Sequence, residues 1–176
     1  MNLTGKRIFM PLESVTIAHV VRPLQVAKAL RYRGTEVIFG VSEKYQPFLK
    51  NEGFEVIPMF SGDPQILLEA VRTVDFSKQS QYLPQYLESD LQAIRAVEPI
   101  DAIVSDFRFT IRFAAEHLGI PHIALTNGYY SPYYDVVPEM PGVIATRMPK
   151  WLAKNLFFRK AVKTIVHLCM IWEEKA

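Results

Sequence analysis

Cysteine is almost absent. The 176 residues hold one, Cys169, which excludes an intrachain disulfide and points to a reducing, cytoplasmic setting. Glycine is sparse as well, at eight, and none falls in the stretch Leu12 to Ile17 after the first apolar run. The Gly-x-Gly-x-x-Gly loop that wraps a dinucleotide is therefore missing there. No uncharged apolar stretch reaches the ~18 residues of a membrane span. The opening run is broken by Pro11 and Glu13, which denies it the apolar centre of a signal peptide. Charge of one sign is not in excess: twenty basic side chains face eighteen acidic ones, whereas a nucleic-acid binder concentrates a large basic surplus on one face. No nucleic-acid partner is expected. Nor do the histidines show zinc-like spacing with cysteine or carboxylate support, so no metal site is expected.

What is present is 49% hydrophobic residues in short, regularly spaced groups. The length suits one complete core-bearing domain, which typically takes about 100–150 residues, with a helical appendage. Short apolar runs alternate with amphipathic helical patterns, the signature of βαβ units and a parallel sheet. Strands are read at Arg7–Pro11, Glu36–Val41, Phe54–Pro58, Ala102–Asp106 and Pro121–Leu125. Val20, Leu24, Ala27 and Leu30 recur at helical spacing, with Gly34 placed to end that helix. A short helix is read over Glu43–Glu52. Asp63 is poised to cap a mainly helical stretch that begins at Pro64, breaks near Pro84 and ends before Pro99. Another helix spans Ile111–Leu118, closed by Gly119. Asn127 to Pro149, rich in proline and tyrosine, reads as a long ordered loop, and Trp151 to Glu174 as a long helix. The expected organisation is a Rossmann-like doubly wound domain over residues 1–149 and a terminal helix over 150–176.

Right-handed crossovers give such a sheet the order 3-2-1-4-5, and its ligands bind outside the carboxyl ends of the strands where the winding direction reverses. That point lies between the first and fourth strands. The segments leaving them carry His19 and Asp106, which the fold brings to one crevice although they are far apart in sequence. An aspartate that accepts one ring N–H fixes the imidazole tautomer, and the other nitrogen is left to act as a general base. The competing reading is a histidine that only packs on its own helix.

The same residues carry a family resemblance. Ala18-His-Val-Val-Arg-Pro23, continuing through Leu24-Gln-Val-Ala-Lys-Ala-Leu30 to Arg33-Gly-Thr-Glu-Val37, resembles the opening of the UDP-glycosyltransferases of the glucuronosyl/macrolide type. There a Gly-His-x-x-Pro motif precedes a leucine-rich helix and Arg-Gly-His-Glu-Val. Ile103-Val-Ser-Asp106 and Ala114-Ala-Glu-His-Leu-Gly-Ile-Pro121 resemble two later segments of that family, with Gly53-Phe-Glu-Val-Ile-Pro58 between them. The resemblance implies the N-terminal, acceptor-binding half of a two-domain GT-B enzyme, whose C-terminal half holds a UDP-sugar donor. It implies that the residue at His19 deprotonates the acceptor hydroxyl, that Asp106 assists it, and that the sugar is transferred with inversion. No cofactor is implied beyond the donor substrate. A chain limited to this half is expected to be inactive without a donor-binding domain, and the alternative reading is a non-catalytic scaffold or binding subunit of a split glycosyltransferase. Ala18 stands in place of the motif glycine, Thr35 in place of the second histidine, and Arg22 where an uncharged residue is usual. Relatives acting on lipid-linked diphosphates use a glycine-rich loop after the first strand, and its absence here argues against a diphosphate acceptor at this loop.

Around the pair, Ser14, Thr16, Phe107, Arg108, Asn127 and Tyr129 stand at the carboxyl edge as candidates to contact a small-molecule or lipid acceptor. For the aromatics, packing between the long loop and the helices is the competing role. The terminal helix, with Lys154, Arg159, Lys160 and Lys163 among Trp151, Phe157 and Phe158, packs its apolar stripe on the domain, covers a missing partner domain, or lies on an anionic membrane surface.

Overall fold

In this computed structural model, residues 3–73 and 77–126 are described. Five strands, β1 (Arg7–Pro11), β2 (Glu36–Val41), β3 (Glu55–Pro58), β4 (Ala102–Asp106) and β5 (His122–Leu125), form one parallel sheet in the order β3-β2-β1-β4-β5. Among the described residues six α-helices connect and flank them: α1 (Ala18–Tyr32), α2 (Gln46–Asn51), α3 (Pro64–Thr73), α4 (Ser77–Ser80), α5 (Leu83–Val97) and α6 (Ile111–Leu118). A 3-10 turn at Glu43–Tyr45 leads into α2. This is the order that the alternation of runs predicts. The loop after Asn127 and the terminal helix lie outside the described residues.

Side-chain alternation along the strands builds two cores, one on each face of the sheet. Ile8 and Met10 of β1, Val37, Phe39 and Val41 of β2, and Val104 of β4 turn to one face, where Val20, Leu24 and Ala27 of α1 and Leu49 of α2 cover them. Phe9, Ile38 and Ile103 turn to the other, against Ala93, Ile94 and Val97 of α5 and Ala114 and Ala115 of α6. Phe9, Ile38, Phe39 and Ile103 have no exposed area at all. Strands buried on both sides in this way read as continuous apolar runs, which is why the pattern is legible. The alternation also fixes the site: counting two residues on from Val104 puts Asp106 on the face covered by α1.

The helix ends follow local chemistry. Beyond α1, Gly34 takes φ +80°, a left-handed conformation that glycine adopts without cost, and the Thr35 N–H returns to the Leu30 carbonyl at 3.2 Å. Asp63 caps α3, its Oδ1 accepting the Gln65 N–H at 2.8 Å. Pro84 sits in the first turn of α5, where its missing N–H is harmless, so the break expected near it comes just ahead of it.

Candidate active site

The crevice between β1 and β4 is made by two short connections. Asp106 is the last residue of β4 and its side chain is 1% exposed. His19 is the second residue of α1, in a first turn tightened by bonds from the His19 N–H to the Thr16 carbonyl and from Val20 N–H to Ile17. The His19 Nδ1 lies 2.9 Å from Asp106 Oδ1. With Nδ1 protonated and donating, Nε2 is left with a lone pair, the form in which an imidazole can take a proton from a substrate. The pair read from the switch point is thus in direct contact.

A third group joins it. Arg22, one helical turn beyond His19, grips the same carboxylate as a fork: Nε donates to Oδ2 at 2.6 Å and Nη2 to Oδ1 at 2.7 Å. Burial alone would raise the Asp106 pKa. The hydrogen bonds from His19 and Arg22 and the Arg22 charge outweigh it, and the net shift is downward. Asp106 is therefore a firmly ionised carboxylate at neutral pH.

The residue after it, Phe107, has φ +57°, a conformation that costs a non-glycine residue about 1–2 kcal/mol. The bend turns the chain back on itself. It lays the Phe107 ring flat against the His19 imidazole, with centroids 4.7 Å apart and 17° between planes. Phe107 in turn contacts Phe109, which is largely exposed. The imidazole is held by a carboxylate at its edge and a ring on its face.

Arg108 turns the other way, into the domain. Its side chain is 1% exposed and its Nε donates to Asp90 Oδ1 of α5 at 2.5 Å. Nη1 donates to the Phe60 carbonyl at 3.0 Å, and Thr110 Oγ1 donates to the other Asp90 oxygen at 2.6 Å. Burial raises the Asp90 pKa, and Arg108 and Thr110 only partly offset this. This cluster ties Arg108 and Thr110, either side of Phe109, to α5.

The β1–α1 loop is equally committed. Leu12 N–H donates to the Gly40 carbonyl, Glu13 N–H to the Asp106 carbonyl and Ser14 N–H to the Glu13 carboxylate. Glu13 is 4% exposed and accepts a further bond from Ser61 Oγ at 2.7 Å. Ser14 is buried and its Oγ accepts the Ser42 N–H at 3.2 Å. Thr16 is half-buried. With these three N–H groups occupied and a buried carboxylate beside them, the Leu12–Ser14 stretch does not present its donors to a phosphate. Beyond it, over the carboxyl ends of β2 and β3, lies an open groove of about 730 Å³ bordered by Ser42, Lys44, Phe60, Ser61, Glu88 and Gln92.

Of the residues singled out from sequence, then, His19, Asp106 and Phe107 come together, Thr16 stands at the start of α1, and Ser14 and Arg108 are buried under the crevice. Asn127 and Tyr129 lie outside the described residues. The Arg22 contact was missed, although its spacing of three from His19 places both on one helix face. His122 donates to or accepts from Ser105 Oγ at 2.8 Å on the far face of β4, with its pKa lowered by burial and then by Arg112. Among the described residues no group of three or more His, Cys, Asp or Glu could hold a metal ion, and no helix is long and apolar enough to cross a membrane.

No family model matches the chain. Individual proteins do. A PGL/p-HBAD biosynthesis rhamnosyltransferase of Mycobacterium bovis BCG is 34% identical over 151 residues, covering 81% of this chain and 31% of that protein. An inactive PGL/p-HBAD biosynthesis glycosyltransferase of the same organism is 29% identical over 142 residues, covering 81% and 38%. The crystal structure of the glycosyltransferase SsfS6 from Streptomyces sp. SF2575 superposes with a TM-score of 0.55 at 21% identity, over 68% of this chain and 39% of that one. The described residues share the α/β fold of the GT-B glycosyltransferases. The chain spans about a third of the length of the curated relatives it matches. The described residues make up a single Rossmann-like sheet with its helices, and the His19–Asp106 crevice lies at the carboxyl edge of that sheet.

Proposed function

We propose that this chain is the acceptor-binding half of an inverting glycosyltransferase, with His19 as the general base. In this reading Nε2 of His19 takes the proton from an acceptor hydroxyl as its oxygen attacks the anomeric carbon of a nucleotide-sugar. The bond from that carbon to the diphosphate breaks, and the diphosphate leaves with the electron pair. Asp106 holds the Nδ1 proton and stabilises the imidazolium that forms. The observation that carries the proposal is the 2.9 Å contact between Nδ1 and a buried, ionised carboxylate at the switch point of the sheet.

The acceptor then approaches along the carboxyl edge, past Thr16 and the Phe107 ring, with Asn127 and Tyr129 as further contacts. The polar groove beyond the β1–α1 loop is space for the rest of the acceptor. Ser14 and Arg108 support this surface from below. The loop's committed N–H groups argue for an acceptor without a diphosphate at that point. The donor is a UDP-sugar or another nucleotide-sugar held by a second domain. Because the SsfS6 complex contains thymidine diphosphate and one relative is a rhamnosyltransferase, TDP- and UDP-activated sugars, rhamnose among them, belong in the first donor panel. The working compartment is the cytoplasm.

The test is a His19→Ala substitution in the two-domain enzyme, assayed for sugar transfer. Transfer should fall by roughly 10²- to 10⁴-fold, the usual contribution of a positioned base, with the fold unchanged by circular dichroism. Unchanged turnover removes His19 from the chemistry. The isolated chain should neither transfer sugar nor bind nucleotide-sugar tightly, and micromolar binding in calorimetry would contradict the division of roles. A second reading, a non-catalytic binding subunit, draws on the inactive mycobacterial relative. It predicts that His19→Ala leaves the activity of the assembled enzyme intact while deletion of this chain abolishes it.

A further inference from the structure

Two side chains meet at the Asp106 carboxylate, His19 and Arg22, and the proposed chemistry uses only the first. The torsion that turns a carboxylate about its Cβ–Cγ bond is broad and nearly two-fold. One hydrogen bond from an imidazole does not fix it, because the oxygens can exchange or tilt while keeping a single contact. Arg22 removes that freedom. Its Nε and Nη2 donate to separate oxygens at 2.6 and 2.7 Å, the paired geometry in which a planar guanidinium and a planar carboxylate lock together. An ammonium on a flexible stem would supply the same charge without defining a plane.

The two partners sit on a rigid frame. Val20 and Leu24, fully or almost fully buried on the same helix, seat α1 on the sheet, and the Asp106 side chain is 1% exposed at the end of a strand paired on both sides. The Arg22 side chain is 33% exposed. Oδ1 receives both Arg22 Nη2 and His19 Nδ1, so the direction from which the histidine is addressed is set by the arginine.

We propose that Arg22 is a positioning residue, whose fork fixes the plane of the Asp106 carboxylate and through it the tautomer and tilt of the His19 ring. This rests on His19 being the base, and it gives a use to the charged side chain beside Pro23, where the resembled pattern has an uncharged one. Arg22→Lys keeps the charge and loses the fork. Arg22→Gln loses both.

The experiment is nitrogen-15 NMR of the full chain labelled at histidine, with His19 assigned by its disappearance in His19→Gln. Wild type should show a single ring form with the proton on Nδ1. Arg22→Lys should lose that uniqueness and show a second population protonated on Nε2. Arg22→Gln should depart further, with the second population larger. A folded Arg22→Lys whose His19 signals match wild type overturns the proposal, and that variant decides the matter even if Arg22→Gln does not fold. A purely structural role would lower the melting temperature and leave the tautomer alone. In the two-domain enzyme Arg22→Lys should lower kcat roughly tenfold with KM nearly unchanged, since a misaimed base forfeits part of its 10²- to 10⁴-fold contribution. If His19→Ala left transfer intact, the base assignment would fall while the spectroscopic result for Arg22 would still stand or fail by itself.

Discussion

Asp90 and Arg108 form an ion pair with almost no exposure, 0% and 1% at the side chains, and the two halves should not be equally expendable. Replacing Asp90 with asparagine leaves a guanidinium in the interior, and arginine cannot shed its proton. Removing one partner of a buried pair costs about 3–5 kcal/mol. For a chain of this length each kcal/mol lowers Tm by roughly 2–4 °C, so Asp90→Asn should lower it by about 10 °C. Replacing Arg108 with methionine leaves a carboxyl that keeps its Thr110 hydrogen bond and can take up a proton, which its raised pKa already favours. That change should cost about 1–3 kcal/mol, the ordinary penalty for an incompletely satisfied buried polar group.

The sign of the pH dependence sharpens the contrast. A carboxyl whose folded pKa lies above its unfolded value binds more protons in the native state. Its stability contribution is therefore present below the unfolded pKa and is lost as pH rises through the folded one. Arg108→Met should thus lose stability steadily as pH climbs above the ordinary carboxylate range, whereas Asp90→Asn, with no carboxyl left at position 90, should not share that slope. Urea unfolding followed by circular dichroism at several pH values measures both. Equal losses for the two variants, or a loss below about 1 kcal/mol for Asp90→Asn, would refute the view that this pair is buried and strongly coupled.

Three further predictions concern the frame and the dyad. A Cβ on Gly40 would stand 2.2 Å from Met59 Sδ and 2.7 Å from Phe9 Cζ, both in the packed core, so Gly40→Ala should destabilise by about 1–3 kcal/mol through overpacking, read from the urea midpoint. Asp106 behaves oppositely to Asp90: its folded pKa is depressed, so its contribution is present above the ordinary carboxylate value and is lost as pH falls through the folded one. The stability gap between wild type and Asp106→Asn should therefore narrow in acid, and a gap that widens there would be inconsistent with the ionised carboxylate described. Phe107→Ala removes the ring stacked on His19 and keeps the bend, so in the two-domain enzyme proposed above it should reduce transfer more than it reduces stability, as a comparison of kcat with Tm would record.

The architecture was legible because parallel strands buried on both faces cannot disguise themselves. Ile8 to Met10, Val37 to Val41 and Ile103 to Val104 are runs that only a doubly covered sheet can use, and the order of the strands then follows from the handedness of the crossovers. The meeting of His19 with Asp106 came from the same logic. What the sequence does not display is where a charge points. Arg108 follows a site aspartate and looks like an edge contact, yet it is drawn inward by Asp90. That signal was available: Tyr86, Asp90, Ala93, Ile94 and Val97 are all buried on one stripe of α5, so a carboxylate in an apolar register was asking for a partner. The Arg22 fork depends on how α1 sits over the end of β4, a matter of tertiary placement that spacing can suggest and cannot fix.

The bend at Phe107 bears on how this domain would respond to selection. Glycine or asparagine at that position would relax the backbone by about 1 kcal/mol, a gain that any screen for heat resistance would favour. The same exchange would strip the ring from the face of His19. Laboratory evolution for robustness and evolution for turnover should therefore pull this one codon in opposite directions. A library sorted first by melting temperature and then by transfer would make the conflict visible at residue 107 before it appeared in the surrounding core.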